Sequence, residues 1–400
     1  MNSKMLYLDG AEGLLLVCFV YQILHKFFKT DIIQSYDIAQ DFTLWSKYVE
    51  AFYGIAGIRA YQWSKLNAIR YIKIFCTKII HYQITHGIFC LFLFFIPYSD
   101  YRLTWKNILM LQGYFKARND IFDITAVFTQ IFQGYTIIVC LSTRFFSKNG
   151  ILYQYAVIFF LFLLRIFYIS RIIYTNKSYH SPQAFVGQGY QELMAFVILF
   201  RLSHHFEHHQ RDRKFLESRS PLAVDAFVLA GAVLTSLALG RVSAIYLDST
   251  IYQHNVLLAL AYILLRPFFI AMVGVLIILL DYSRLIKRFL ALPVLSKLVY
   301  RTRMFTVTCT GVFYQLLLYQ LRQTKIGPYD PVLSGIVVVG ALVLIQVFSA
   351  VLFTLFNPII LLLFSVFDDF CEQINGYIVL LRTNFLAKFV PHAFENGDLQ

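Results

Sequence analysis

About ten apolar runs of bilayer length, joined by short connections, leave this chain few ways to fold. They cover residues 9–28, 48–63, 79–97, 124–142, 151–171, 186–205, 222–239, 254–280, 304–321 and 332–364. A run of about 20 apolar residues matches the ~30 Å hydrocarbon core of a membrane, where every backbone polar group must find its partner inside the protein. The expected class is all-α, a polytopic membrane helical bundle of about ten transmembrane helices. Composition agrees: 58% of the 400 residues are hydrophobic, 14% are charged and the mean hydropathy is +0.63, whereas about a quarter of the residues of soluble domains are charged. Pro267 predicts a kink or a division in the eighth run. The tenth is too long for one straight crossing, so it is expected to tilt or to break at Asn357-Pro358. With no internal repeat, low-complexity linker or composition shift, residues 1–365 read as one membrane domain. Residues 366–400 read as an amphipathic helix (370–389) with a loose tail, suited to contact a partner or the membrane surface.

The net charge of +13 sits in the connections between apolar runs, which points to topology rather than to nucleic acid. Lys65, Arg70, Lys73, Lys78, Arg144, Lys148, Arg211, Arg213, Lys214, Arg219, Arg284, Lys287, Arg288, Lys297, Arg301 and Arg303 fall on one side. Both chain termini are then expected on that inside face. Asp9 and Glu12 interrupt the region where a cleavable signal would carry its basic start, so the first helix is expected to remain as an anchor. The six cysteines lack C-x-x-C spacing and read as small buried hydrophobes, with neither a disulfide framework nor a zinc site.

The stretch Leu8-Asp9-Gly10-x-x-Gly13, followed at once by an apolar helix, combines acids and glycines where an ordinary span has neither. Glycines allow a tight turn or the close approach of a second helix, and Asp9 is suited to cap the helix that follows. This stretch resembles the opening of the acyltransferase-3 family of multi-pass membrane acyltransferases, which begin Leu-Asp-Gly-Leu-Arg-Gly. Later segments are similar in the same order: Tyr48 to Gly57 with Arg59 and Arg70, Trp105 to Gln112, Thr125 to Tyr135, Gln188 to Leu199, Thr308 to Gln315, and Phe356-Asn-Pro358. The resemblance implies that family's fold, acyl-CoA as donor, and a sugar or lipid hydroxyl as acceptor. It marks Asp9, Glu12, Arg59 and Arg70 as the substrate-binding set, with no resident cofactor.

The departures from the family pattern share one direction. The family's helix-1 arginine is Glu12 here, its histidine Ile23, its helix-4 glutamate Gln130, its helix-9 histidine Gln315 and its terminal glutamate Phe356. A general base for a hydroxyl needs a pKa near working pH, which Gln and Ile do not have. His25 is the candidate catalytic base, but it lies two residues, about 200°, from the matching position. Beside Lys26 and Lys29 it reads more simply as a polar helix end.

The run Ser203-His-His-Phe-Glu-His-His-Gln210 places His204 with His208 and His205 with His209 at i,i+4, a metal-holding spacing. The other histidines are too few to complete a di-iron set, so no metal is expected and the run reads as a polar helix end. Arg165, Glu192, Arg201, Asp225 and Arg266 fall within or at the edges of spans, where each must pair or face water.

Three functions stay open at this level. The first is an acyltransferase-3-like protein that has lost catalysis and serves as a structural or accessory subunit of a membrane complex. The second is an active acyl-CoA-dependent O-acyltransferase, and the third a transporter or lipid-binding protein. Membrane lipids and other membrane subunits are the expected partners, given 40 Phe and 27 Tyr. The subunit reading carries with it an energy-transducing organelle membrane, the mitochondrial inner membrane.

Overall fold

The structure, a computed structural model, describes residues 6–29, 51–52, 54–55, 59, scattered helical positions between 156 and 167, residue 214, and residues 220–247, 272–324 and 331–389. Among the described residues all regular structure is helical and no strand occurs. The named helices are α1 (Leu6–Lys29), α2 (Pro221–Leu247), α3 (Leu285–Leu290), α4 (Tyr300–Thr324) and α5 (Pro331–Phe389), with a π-helical turn, Val294–Val299, leading into α4.

α1 begins three residues before the expected span, so Asp9 lies in its first turns and not at its N-cap. The face carrying Leu8, Leu16, Phe19, Val20 and Leu24 is buried. Its first turns enter a core formed with Ile55, with Val224 and Val228 of α2, and with Ile277, Leu279, Leu280 and Leu290. Gly10 sits directly on the carbonyl of Leu290, where a Cβ would overlap the oxygen. At Gly13 a Cβ would stand 2.7 Å from the Leu295 carbonyl oxygen and 3.4 Å from the Val299 side chain. The close approach predicted from the glycines is therefore made, and its partner is the irregular segment 290–299.

That segment is held from the other side by α2. Pro221 opens α2, where a missing N–H costs nothing. One turn on, the buried Asp225 carboxylate accepts backbone N–H groups from Arg284 at 3.2 Å, Leu285 at 3.0 Å and Ile286 at 3.4 Å. These are orphan donors at the start of α3, so a side chain some sixty residues away supplies the cap that Arg284 cannot. Among the options left open for Asp225, this is the structural one. The chain breaks at Ala291–Pro293 and resumes in the π turn.

α4 and α5 pack through a second core. The Phe305 ring meets Phe353 edge-on at 6.2 Å and stacks with Phe356 at 6.5 Å, beside buried Ile360. Hydroxyls run along the same contact. Thr306, Thr308 and Thr310 each return their O–H to the carbonyl four residues back, and Ser349 does likewise. Gln346 of α5 donates to the Thr302 hydroxyl at 2.8 Å. Polar groups satisfied in this way can join helices in an apolar medium.

The tenth run does not break. α5 continues through Pro358 to Phe389, a helix of 59 residues, about 88 Å at 1.5 Å per residue. The expected helix 370–389 is its last part. Within it Ile336–Leu363 is long and apolar enough to cross a membrane, and Pro221–Thr235 is a shorter apolar helix. The expected ninth span likewise grows, from 304–321 to Tyr300–Thr324, because the π turn feeds directly into it. Of the run 254–280, residues 272–279 are described and helical. The remaining expected spans lie largely or wholly outside the described residues.

Two glycines test the approach of α1. Gly10→Ala is expected to destabilise by roughly 1–3 kcal/mol through overpacking, lowering the thermal midpoint of the detergent-solubilised protein. Gly340, with open space around its Cβ position, is expected to tolerate alanine neutrally or with a gain of up to about 1 kcal/mol. Equal midpoints for the two variants would contradict the packing. Asp225→Ala is expected to cost about 1 kcal/mol, the usual worth of a cap, and to speed amide hydrogen exchange in residues 284–290.

Candidate functional site

Residues three apart on a helix share a face. Asp9 and Glu12 form one such pair on α1, and Gly10 and Gly13 form the adjacent pair, 100° further round. Because the glycine pair lies on the backbone of 290–299, the acidic pair is carried up to the start of α4. There Tyr300 and Arg303, again three apart, face it. The π turn, with its wider hydrogen-bond spacing, sets both contacts in sequence: Leu295 and Val299 against Gly13, then Tyr300 and Arg303 against the carboxylates.

Arg59 completes the cluster. Its Nη2 donates to Asp9 Oδ1 at 2.7 Å, and its Nη1 donates to Glu12 Oε2. Arg303 Nε lies 3.2 Å from the other Glu12 oxygen, Oε1. Both guanidiniums lie over the Tyr300 ring, with Arg303 Cζ at 3.9 Å and Arg59 Cζ at 4.9 Å from its centroid. Arg303 Nη1 also donates to the Tyr300 carbonyl at 2.7 Å. Arg59 is 3% exposed and Asp9 6%, so the ion pairs are largely withdrawn from solvent.

Two carboxylates and two guanidiniums sum to zero charge. Burial of an unpaired ion costs several kcal/mol, and this arrangement leaves each of the four facing an opposite charge. Arginine has no accessible neutral form, and each carboxylate here already accepts from a guanidinium. The geometry ties α1 to Arg59 and to the start of α4 through paired charges.

Of the expected substrate-binding set, the structure brings Asp9, Glu12 and Arg59 together, while Arg70 lies outside the described residues. His25 falls on α1, and its side chain lies outside the described residues. Gln130 and the candidate ligands His204, His205, His208 and His209 also lie outside them. Among the described residues no group of three or more His, Cys, Asp or Glu side chains could hold a metal. Phe356, which the resemblance sets against a glutamate, packs on Phe305. Cys18 and Cys309 are free thiols.

Sequence reasoning missed Tyr300 as a member and placed Arg303 in a connecting loop. Arg303 belongs instead to the first turn of α4, with its side chain 13% exposed. The signal available was the i,i+3 spacing of an aromatic and an arginine just before an apolar run. Nothing in that spacing names Glu12 as the partner.

Removing one member tests whether the cluster is a fastener. Arg59→Met strands two buried carboxylates with one cation and is expected to cost about 3–5 kcal/mol. Adding Asp9→Gln or Glu12→Gln in that background is expected to recover part of the loss, as coupled neighbours do. Arg59→Lys is expected to fall between, since an ammonium cannot fork to two carboxylates. Thermal midpoints in detergent read all of these, and additive losses would deny the coupling. Compared with known proteins, the chain matches no family model, no curated protein and no solved structure.

Proposed function

We propose that this chain is a multi-pass membrane protein of about ten spans with an acyltransferase-3-like cage and both termini on one face, in which catalysis has been lost. On this reading it serves as a structural or accessory subunit of a membrane complex. The observation that supports it is the state of the first-helix acids. Where the resemblance marks Asp9, Glu12 and Arg59 for substrate, Arg59 and Arg303 occupy both carboxylates. The packed ring at Phe356, in place of a carboxylate, points the same way. Intramembrane charges are costly and are kept where they work, and here their work is to fix the register of α1 against Arg59 and α4.

The test has two arms. Native protein extracted in mild detergent is expected to migrate well above its own 46.6 kDa and to copurify with other subunits in fixed ratio. A lone monomer would remove the reading. The same purified material, given an acyl-CoA with sugar or lipid acceptors, is expected to transfer no acyl group above the protein-free blank. Transfer abolished by His25→Ala would establish the enzyme instead.

A further inference from the structure

Three sectors divide the surface of α3 and of the residue before it. Arg284 with Arg288, Leu285 with Phe289, and Ile286 with Leu290 are each four apart and share a face. Each pair lies about 100° round from the one before. The third pair enters the core with α1. The first two are exposed, Leu285 by 54% and Phe289 by 51%. The pattern returns after the break at Ala291–Pro293. Lys297 with Arg301, and Val294 with Leu298, are again four apart and exposed, while Ser296 and Tyr300 are buried. Both inner faces rest on α1, through the Leu290 carbonyl against Gly10 and through Leu295 and Val299 against Gly13. The outer faces therefore turn away from α1 together, and each sets two cations beside two apolar side chains.

The neighbouring cations are already engaged, Arg303 with Glu12 and Lys287 with Asp281 at 2.6 Å. Arg284, Arg288, Lys297 and Arg301 have no ion-pair partner among the described residues. No Asp or Glu occurs from Tyr282 to Tyr329. We propose that the outer face of residues 284–301 binds anionic phospholipid, with these four cations on headgroup phosphates and the adjoining apolar side chains against the acyl chains. The proposal rests on the membrane-spanning part of the proposed function, and on neither the lost catalysis nor the subunit role. Depth favours a lipid, because the segment lies between the apolar run 254–280 and α4. Its break is exposed at Leu292 and Pro293, and exposed irregular backbone belongs at headgroup level, where water reaches it, and not in hydrocarbon. Segments that lie in this layer carry Lys or Arg beside Leu or Phe, and clustered cations prefer anionic headgroups. Nucleic acid would match the cations alone and leave Leu285, Phe289, Val294 and Leu298 in water.

The four cations are exposed, so replacing all of them with Gln is expected to leave the lipid-free thermal midpoint unchanged. Full-length protein in uncharged detergent is titrated with dioleoylphosphatidylglycerol or dioleoylphosphatidylcholine, with bound lipid read by native mass spectrometry. Wild type is expected to bind phosphatidylglycerol at least about tenfold more tightly than phosphatidylcholine. The Gln variant is expected to lose that preference, and a variant with Arg284→Lys, Arg288→Lys and Arg301→Lys to keep it. Leu285→Ser with Phe289→Ser is expected to weaken phosphatidylglycerol binding about tenfold, and excess inorganic phosphate to displace none of it. The same preference in wild type and Gln variant would overturn the proposal. So would displacement by inorganic phosphate, which would assign the cations to a free anion, or tighter binding of a poly-glutamate peptide, which would assign them to an acidic protein. An integral protein that binds both lipids alike sinks this site alone, whereas release from the membrane by alkaline carbonate sinks the membrane-spanning reading itself.

Discussion

The described structure depends on one backbone contact, that of α1 lying through Gly10 and Gly13 on the carbonyls of residues 290–299. A side chain at Gly10 would push the helices apart, because its Cβ position is already filled by the Leu290 oxygen. Without that approach the carboxylates of Asp9 and Glu12 could not stand beside Tyr300 and Arg303. The ion pairs contribute little to bringing the elements together, because desolvating charges offsets much of their attraction. They instead select this register, since any other would leave buried charge unpaired. Packing sets the distance and electrostatics sets the alignment.

A second division of labour separates the α1 contact from the α4–α5 contact. Among the described residues the α4–α5 pair meets through side chains, with the Phe305, Phe353 and Phe356 rings supplying the bulk. Threonines that satisfy themselves on their own helix, together with Gln346, supply the polarity. In hydrocarbon the hydrophobic effect gives helices no reason to associate, and close packing with well-placed hydrogen bonds does that work. Asp225 shows the same economy at a helix end, where α2 caps α3 across a long sequence separation.

The length of the apolar runs made the helices legible, and α1, α2, α4 and α5 all contain the run expected for them. The ends were less legible. Asn357-Pro358 reads as a stop because proline removes a hydrogen bond, yet the apolar face on either side of it keeps one phase, and the helix follows the face. Gly10 and Gly13 announced a close approach without naming its partner, since spacing encodes which residues share a face and not which face they meet. The same limit hid Tyr300 and Arg303. Their pairing with Glu12 arises from a break at Ala291–Pro293 followed by a π turn, and no local pattern of residues specifies that geometry. Asp9, Glu12 and Arg59 were legible as a set only through the resemblance, which marked them without indicating that they neutralise one another.

The charge balance of the cluster has an electrical consequence. A membrane potential does work of about 2.3 kcal/mol per elementary charge per 100 mV on any charge carried across it. Asp9, Glu12, Arg59 and Arg303 sum to zero and are tied to one another. Were α1 and the start of α4 to shift together through the field, voltage would neither drive nor resist the movement through these four groups. Through these four groups, the head of α1 carries no net charge for a field to act on.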